Sequence, residues 1–307
     1  MESMVLIFKG FIIGIAFIIP GLSGGTLAVY LGVYEKMLHA ISHVFTEMKK
    51  SLVFLIPLFF GIGISVVSLA RLLGYLININ SLIVMMFFIG IILGGINDTY
   101  KRATAKSKTI TPYSVIALTV SLSIVLMLVI FGASDNANGM AFFDINPLTI
   151  LLIFILGMLA SMTMIIPGVS GSALLITLGY YTAIVTNVIG NVFDFDQFTY
   201  NILVIIPFGL GAALGIILFS SLIEKALKNY KKETYFAILG FIIGSIFALF
   251  FEIKDPSTAV SHDLQTPIYS YFFSYVMDHT LSFIIALISL IIGFIIAKKL
   301  TEIELTQ

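Results

Sequence analysis

The chain has 307 residues, 59% of them hydrophobic and only 10% charged. Soluble globular chains carry about 25% charged residues, so this chain cannot cover a water-facing surface with charge, and its apolar runs must face lipid or each other. Cationic and acidic residues cancel, which removes any general pull toward nucleic acid, and the lack of cysteine excludes disulfides, thiolate metal sites and thiol catalysis.

In chain order, the first apolar stretch covers about 4–38. It continues far past any short signal-peptide core, so it is expected to be retained. Pro20–Gly21 and Ser23–Gly24 cut it near its middle. Proline removes a backbone donor and clashes with the preceding turn, and glycine disfavours helix. Two arms of about 15 residues, each about 22 Å long at 1.5 Å per residue, are expected. Glu35 and Lys36 end the second arm, and Glu35 is a candidate gate or coupling carboxylate. His39 and His43 follow at i, i+4, but no carboxylate stands between them as in HExxH, so no metal site is expected.

Spanning helices need about 20 apolar residues. They are expected at 52–76, 82–97 and 113–131. Arg71 lies in the outer part of the first. Charge within a membrane span is costly and usually functional, and a guanidinium fork suits phosphate. The same residue could instead snorkel to the outer interface. Residues 132–148 read as an extracellular linker with Asp135 and Asp144. A second interrupted stretch, 149–189, is broken at Pro167–Gly168. Spans at 202–223, 235–251 and 281–297 complete the chain.

The two interrupted stretches are copies of one pattern. Residues 18–34 read IIPGLSGGTLAVYLGVY and residues 165–181 read IIPGVSGSALLITLGYY. Downstream, Pro57 and Gly61 match Pro207 and Gly211, and Gly90 and Gly94 match Gly240 and Gly244. Ordered proline and glycine matches over most of each half indicate duplication.

Charge then sets the topology, because positive loops stay cytoplasmic. The cationic clusters are 101–108, Lys225 to Lys232, and Lys298–Lys299. If both interrupted stretches cross the membrane, the first two clusters fall on opposite sides. If both are re-entrant hairpins, every basic loop is cytoplasmic, as are both termini. Each half then has three crossings and the halves are inverted. The expected fold is an all-α polytopic membrane protein of two inverted repeats, 1–131 and 149–307, each a re-entrant helical hairpin plus three transmembrane helices.

Irregular backbone at membrane depth persists where protein or a water-filled cavity satisfies it. Hairpins entering from opposite faces bring their tips together near the midplane. Helix N-termini there favour anions. Ser23, Thr26, Ser170 and Ser172 add hydroxyls, and the glycines let a ligand approach the backbone. The residues thus suit a phosphate cradle. Small residues also serve simple helix packing, but the motif occurs twice in matching places.

The segment KGFIIGIAFIIPGLSGGTLAVYLGVYEK (9–36), with MIIPGVSGSALLITLGYY (164–181), resembles the polyprenyl-phosphate transport family of bacterial membrane proteins (the PopT type). The resemblance covers essentially the whole chain. Phe17 departs from the asparagine expected in many members. The resemblance implies a flippase that returns undecaprenyl phosphate, the carrier lipid of cell-wall synthesis, from the outer to the inner leaflet of the bacterial cytoplasmic membrane. It implies a binding role for Pro20, Gly21, Ser23, Gly24, Gly25, Pro167, Gly168, Ser170, Gly171 and Ser172. Thr26, Arg71 and Glu35 are candidates on physical grounds alone. Membrane lipids are the expected surroundings, no cofactor is implied, and a coupling ion (proton or sodium) and the oligomeric state stay open. The alternative from the same residues is a transporter or channel for a small soluble anion. An enzyme would need a nucleophile and an acid–base set, and neither motif has them nearby.

Overall fold

The computed structural model describes residues 2–18, 23–105, 109–133, 143–169, 171–180, 183, 184, 188, 197–255, 257, 258 and 266–305. Pro20, Gly21 and Ser170 lie outside the described residues, as do the side chains of Phe17, Arg71 and Ser172. The architecture is all-α: α1 (Glu2–Ile18), α2 (Gly24–Tyr30), α3 (Tyr34–Ser42), α4 (Met48–Thr104), α5 (Pro112–Ala133), α6 (Pro147–Ile165), α7 (Gly171–Thr177), α8 (Phe198–Asn229), α9 (Lys231–Phe251), α10 (Phe272–Asp278) and α11 (Thr280–Leu305). Among the described residues, seven helical segments are long and apolar enough to cross a membrane. Large aliphatic and aromatic side chains such as Val67, Phe60, Ile130 and Leu281 are exposed along them, as lipid-facing residues must be. This is a polytopic membrane protein.

The helix α4 contains both 52–76 and 82–97. Only Asn80 leaves helical dihedrals, at φ −159° and ψ 91°. Its side chain accepts from the Ile83 N–H at 3.1 Å, so it caps a second limb. The Ser81 hydroxyl fixes this corner. It donates to the Lys254 carbonyl at 2.7 Å and accepts from the Lys254 N–H at 2.9 Å. Both limbs end on the same side. Lys50 and Ser51 share a cavity with Glu35 and Lys231, and Arg102, at the other end of α4, hydrogen-bonds Tyr235. The helix is therefore a hairpin with Asn80 at its corner.

Small residues weld the helices in parallel pairs. A Cβ on Gly10 would strike the Leu58 carbonyl, and one on Gly61 the Ile7 carbonyl. The same contacts recur between α6 and α8, where Gly157 meets the Phe208 carbonyl and Gly211 the Phe154 carbonyl. One detail is exchanged: Gly14 faces Ser65 in the first pair, and Ser161 faces Gly215 in the second. The second limb of α4 pairs with α11 through Gly90 on Leu290, Gly293 on Phe87 and Gly94 on Ala297. In the same manner α9 pairs with α5, through Gly240 on Leu118 and Ser121 and Gly244 on Val125. Such contacts bring backbones close enough for dispersion to hold helices together in lipid.

The first interrupted stretch folds back on itself, and the Lys9 ammonium donates to the Leu31 carbonyl at 2.8 Å. Its returning arm corrects the expectation of one helix of about 15 residues. After seven residues α2 stops, because Gly32 takes φ +61°, a left-handed conformation that side chains other than glycine resist. The chain restarts as α3. In the second stretch α7 also has seven residues and is followed by Gly179 at φ +79°.

Several basic residues gather at one end. Lys232 donates to the Thr109 carbonyl, Lys231 pairs with Glu35 at 2.9 Å, and Arg102 pairs with Asp98 at 2.7 Å. As α11 runs parallel to the second limb of α4, it carries Lys298 and Lys299 toward this lysine-rich end.

Candidate functional site

The two helix breaks meet in the interior. A Cβ on Gly25 would lie 3.2 Å from the Cα and N of Pro167. The Ser23 hydroxyl donates to the Ile166 carbonyl at 3.3 Å, and the Tyr34 hydroxyl to the Ile165 carbonyl at 2.9 Å. These carbonyls lie where α6 ends at Ile165 and is capped by Ile166, and helix ends leave carbonyls without intrahelical partners. The Val169 N–H reaches the Ile166 carbonyl at 3.5 Å, and side chains from the first half of the chain add donors to both. Tyr30 ties the same arm to α4, donating to the Ile92 carbonyl within that helix at 2.8 Å.

The tip is shut. Ser23, Gly24, Gly25, Thr26, Pro167 and Gly168 are all buried. Gly168 has φ +83° and sits on the Phe241 carbonyl of α9, where a side chain could not fit. Thr26 is fully buried, and its hydroxyl has no hydrogen-bond partner among the described residues. Leaving a buried hydroxyl unpaired costs about 1–3 kcal/mol, and the Ser65 and Ser220 hydroxyls are in the same position among the described residues. Gly171 turns back on its own half, against Thr163 Oγ1. Arg71 is helical in the first limb of α4 and Ser172 in α7. The expected anion-favouring helix ends are short: α2 and α7 have seven residues each, so their dipoles are small. The hydroxyls and the close backbone approach are what the tip retains.

A second constellation lies at the lysine-rich end, around a cavity of about 670 Å³. Glu35 receives Lys231 at 2.9 Å and the Tyr235 hydroxyl at 2.6 Å. Burial pushes the Glu35 carboxyl upward, but hydrogen bonds from Tyr235 and Lys231, helped by the Lys231 and Arg102 charges, outweigh it and hold the group below the ordinary glutamate range. Beside it, His39 and His43 do meet a carboxylate. Glu224 on α8 reaches His39 Nδ1 at 2.6 Å and His43 Nδ1 at 3.5 Å, and the Ser42 hydroxyl donates to it. Local spacing could not reveal this partner, which lies far along the chain. Tyr34 was signalled only by its repeat match with Tyr181, and Tyr235 by nothing local.

Residues 13–266 match a protein family described as undecaprenyl phosphate translocase-like. The chain belongs to this family. It is a transport family, and the chain is a transport protein rather than an enzyme. A polyprenyl-phosphate transporter of Staphylococcus aureus is 32% identical over 245 residues, covering 80% of this chain and 85% of the relative. A polyprenyl-phosphate transporter of Vibrio cholerae is 28% identical over 256 residues, covering 78% and 74%. No solved structure matches this member of the translocase-like family.

Proposed function

We propose that this chain carries polyprenyl phosphate, undecaprenyl phosphate in particular, from the outer to the inner leaflet of the bacterial cytoplasmic membrane, returning carrier lipid to cell-wall synthesis. The family and the names of both relatives support the substrate class. The observation that carries the mechanism is the meeting of the two breaks: Gly25 on Pro167, Ser23 on the Ile166 carbonyl, and Thr26 buried without a partner. A phosphate head is rejected by the bilayer core, whereas its isoprenoid tail is at home there. Parting the two breaks frees the Ser23 and Thr26 hydroxyls and opens backbone that glycine leaves bare. The described tip then corresponds to the closed arrangement, and the tail stays outside in lipid. Ser170, Ser172 and Arg71 are proposed to join from the second break and the outer part of α4.

The halves 1–131 and 149–307, linked by 132–148, are proposed to run in opposite directions, each with a re-entrant hairpin. The parallel pairing of the second limb of α4 with α11, and of α9 with α5, supports this. The middle span of each half lies along the last span of the other in the same sense, as an inverted pair requires. The gathering of lysines at one end supports a cytoplasmic location for that end and for both termini. Glu35 there is proposed to gate.

The test is reconstitution. Liposomes containing the purified chain should move a fluorescent polyprenyl phosphate between leaflets well above protein-free vesicles. Transport of inorganic phosphate but not of the lipid would replace this reading with a soluble-anion carrier.

A further inference from the structure

We propose that His39, His43 and Glu224 form a divalent transition-metal site, of the zinc type, that clamps α3 to α8. One ligand atom from each residue lies within 4.8 Å of the other two. Ligands at about 2.0–2.1 Å from a tetrahedral zinc ion stand about 3.3 Å apart. Glu224 Oε1 lies 2.6 Å from His39 Nδ1 and Glu224 Oε2 lies 3.5 Å from His43 Nδ1, so an ion would need the side chains to shift until one oxygen and the two nitrogens reach that spacing. The two imidazoles are one helical turn apart on α3, with ring centroids at 4.3 Å. The Ser42 hydroxyl donates to Glu224 Oε2 and lies 2.9 Å from His43 Nδ1, so it bridges the carboxylate and this imidazole and would turn aside as an ion entered.

Lys36, Lys50, Lys228 and Lys231 line the same cavity as Glu35, Glu47 and Glu224. Lys231 is neutralised by Glu35 and Lys50 by Glu47, at 2.9 and 3.0 Å. Glu224 brings the negative charge to the cluster itself. All three ligands are partly exposed, and His39 and Glu224 line the cavity at this end. Imidazole nitrogen with one carboxylate oxygen suits zinc, copper or nickel rather than calcium or magnesium. Three protein ligands leave a fourth position for water or another oxygen donor. The ion would join α3, from the first half of the chain, to α8, from the second.

The experiment uses the purified full-length chain in detergent, stripped with chelator and titrated with Zn2+ by calorimetry. The expected result is one equivalent bound, weakened at least tenfold in His43→Ala and in Glu224→Gln. Replacement by Co2+ should give the visible absorption of a four-coordinate site. Zn2+ should also raise the thermal midpoint of the wild-type chain and leave that of the His39→Ala/His43→Ala variant unmoved. Wild-type binding no tighter than that of the double variant would overturn the proposal, as would an equal thermal response in both. Neither readout depends on transport, so the outcome is independent of the lipid reading.

Discussion

At the scale of single residues, Thr26 separates stability from transport. Its hydroxyl is buried and unpaired in the closed tip. Thr26→Val keeps the shape and removes an unsatisfied polar atom, a change that is neutral or stabilising by about 1 kcal/mol. The thermal midpoint should therefore hold or rise. If the hydroxyl meets the phosphate once the tip opens, lipid transport should fall about tenfold, the equivalent of about 1.4 kcal/mol. A variant that flips lipid at the wild-type rate would remove Thr26 from the site. The proline and glycine breaks were legible because these residues act on the backbone directly, wherever they stand. Glu224, Tyr34 and Tyr235 were not, because their significance comes from partners far away in the chain. The expectation of no metal at His39 and His43 rests on local spacing, a rule that does not reach a carboxylate on another helix.

At the scale of helices, the exchanged pair offers a test of packing. In α1 and α4 the glycine is on the first helix and the serine on the second, and in α6 and α8 the order is reversed. Both orders fit the same close approach. Gly215→Ser alone would place a second hydroxymethyl against Ser161, and overpacking of this kind costs about 1–3 kcal/mol. Adding Ser161→Gly recreates the arrangement of Gly14 and Ser65. Thermal unfolding should show the double variant recovering most of the loss, with a coupling of about 0.5–3 kcal/mol. Simple additivity would mean that the two positions do not share one contact. Helix positions were readable from hydropathy, but lengths were underestimated at polar ends: α8 runs on to Asn229 and α4 turns at Asn80 without a loop. The early stop of α2 is not legible in hydropathy, because the left-handed turn at Gly32 interrupts the helix without interrupting the apolar run.

At the scale of the whole molecule, the tip and the lysine-rich end belong to one movement. In the proposed parting of the breaks the first interrupted stretch shifts against the second half, and Glu35, in the first turn of α3, ties the two together through Lys231. The chain has no cysteine, so Glu35→Cys with Lys231→Cys gives a single clean pair. Joining them with a short reducible cross-linker should stop lipid transport, and reduction should restore it. Unchanged transport in the linked protein would place the movement elsewhere. Transport lost in the double variant before linking would point to the ion pair itself rather than to the tether.

The crosswise pairing of α4 with α11 and of α5 with α9 has one more consequence. Neither portion of the polypeptide is a self-sufficient fold. Made alone, each would present two unpartnered helix faces to the bilayer, whose flexible acyl chains cannot match the fit of a rigid helix. Duplication of an ancestral segment would therefore have begun with two separate molecules clasping each other, and fusion into a single polypeptide would have made that embrace permanent.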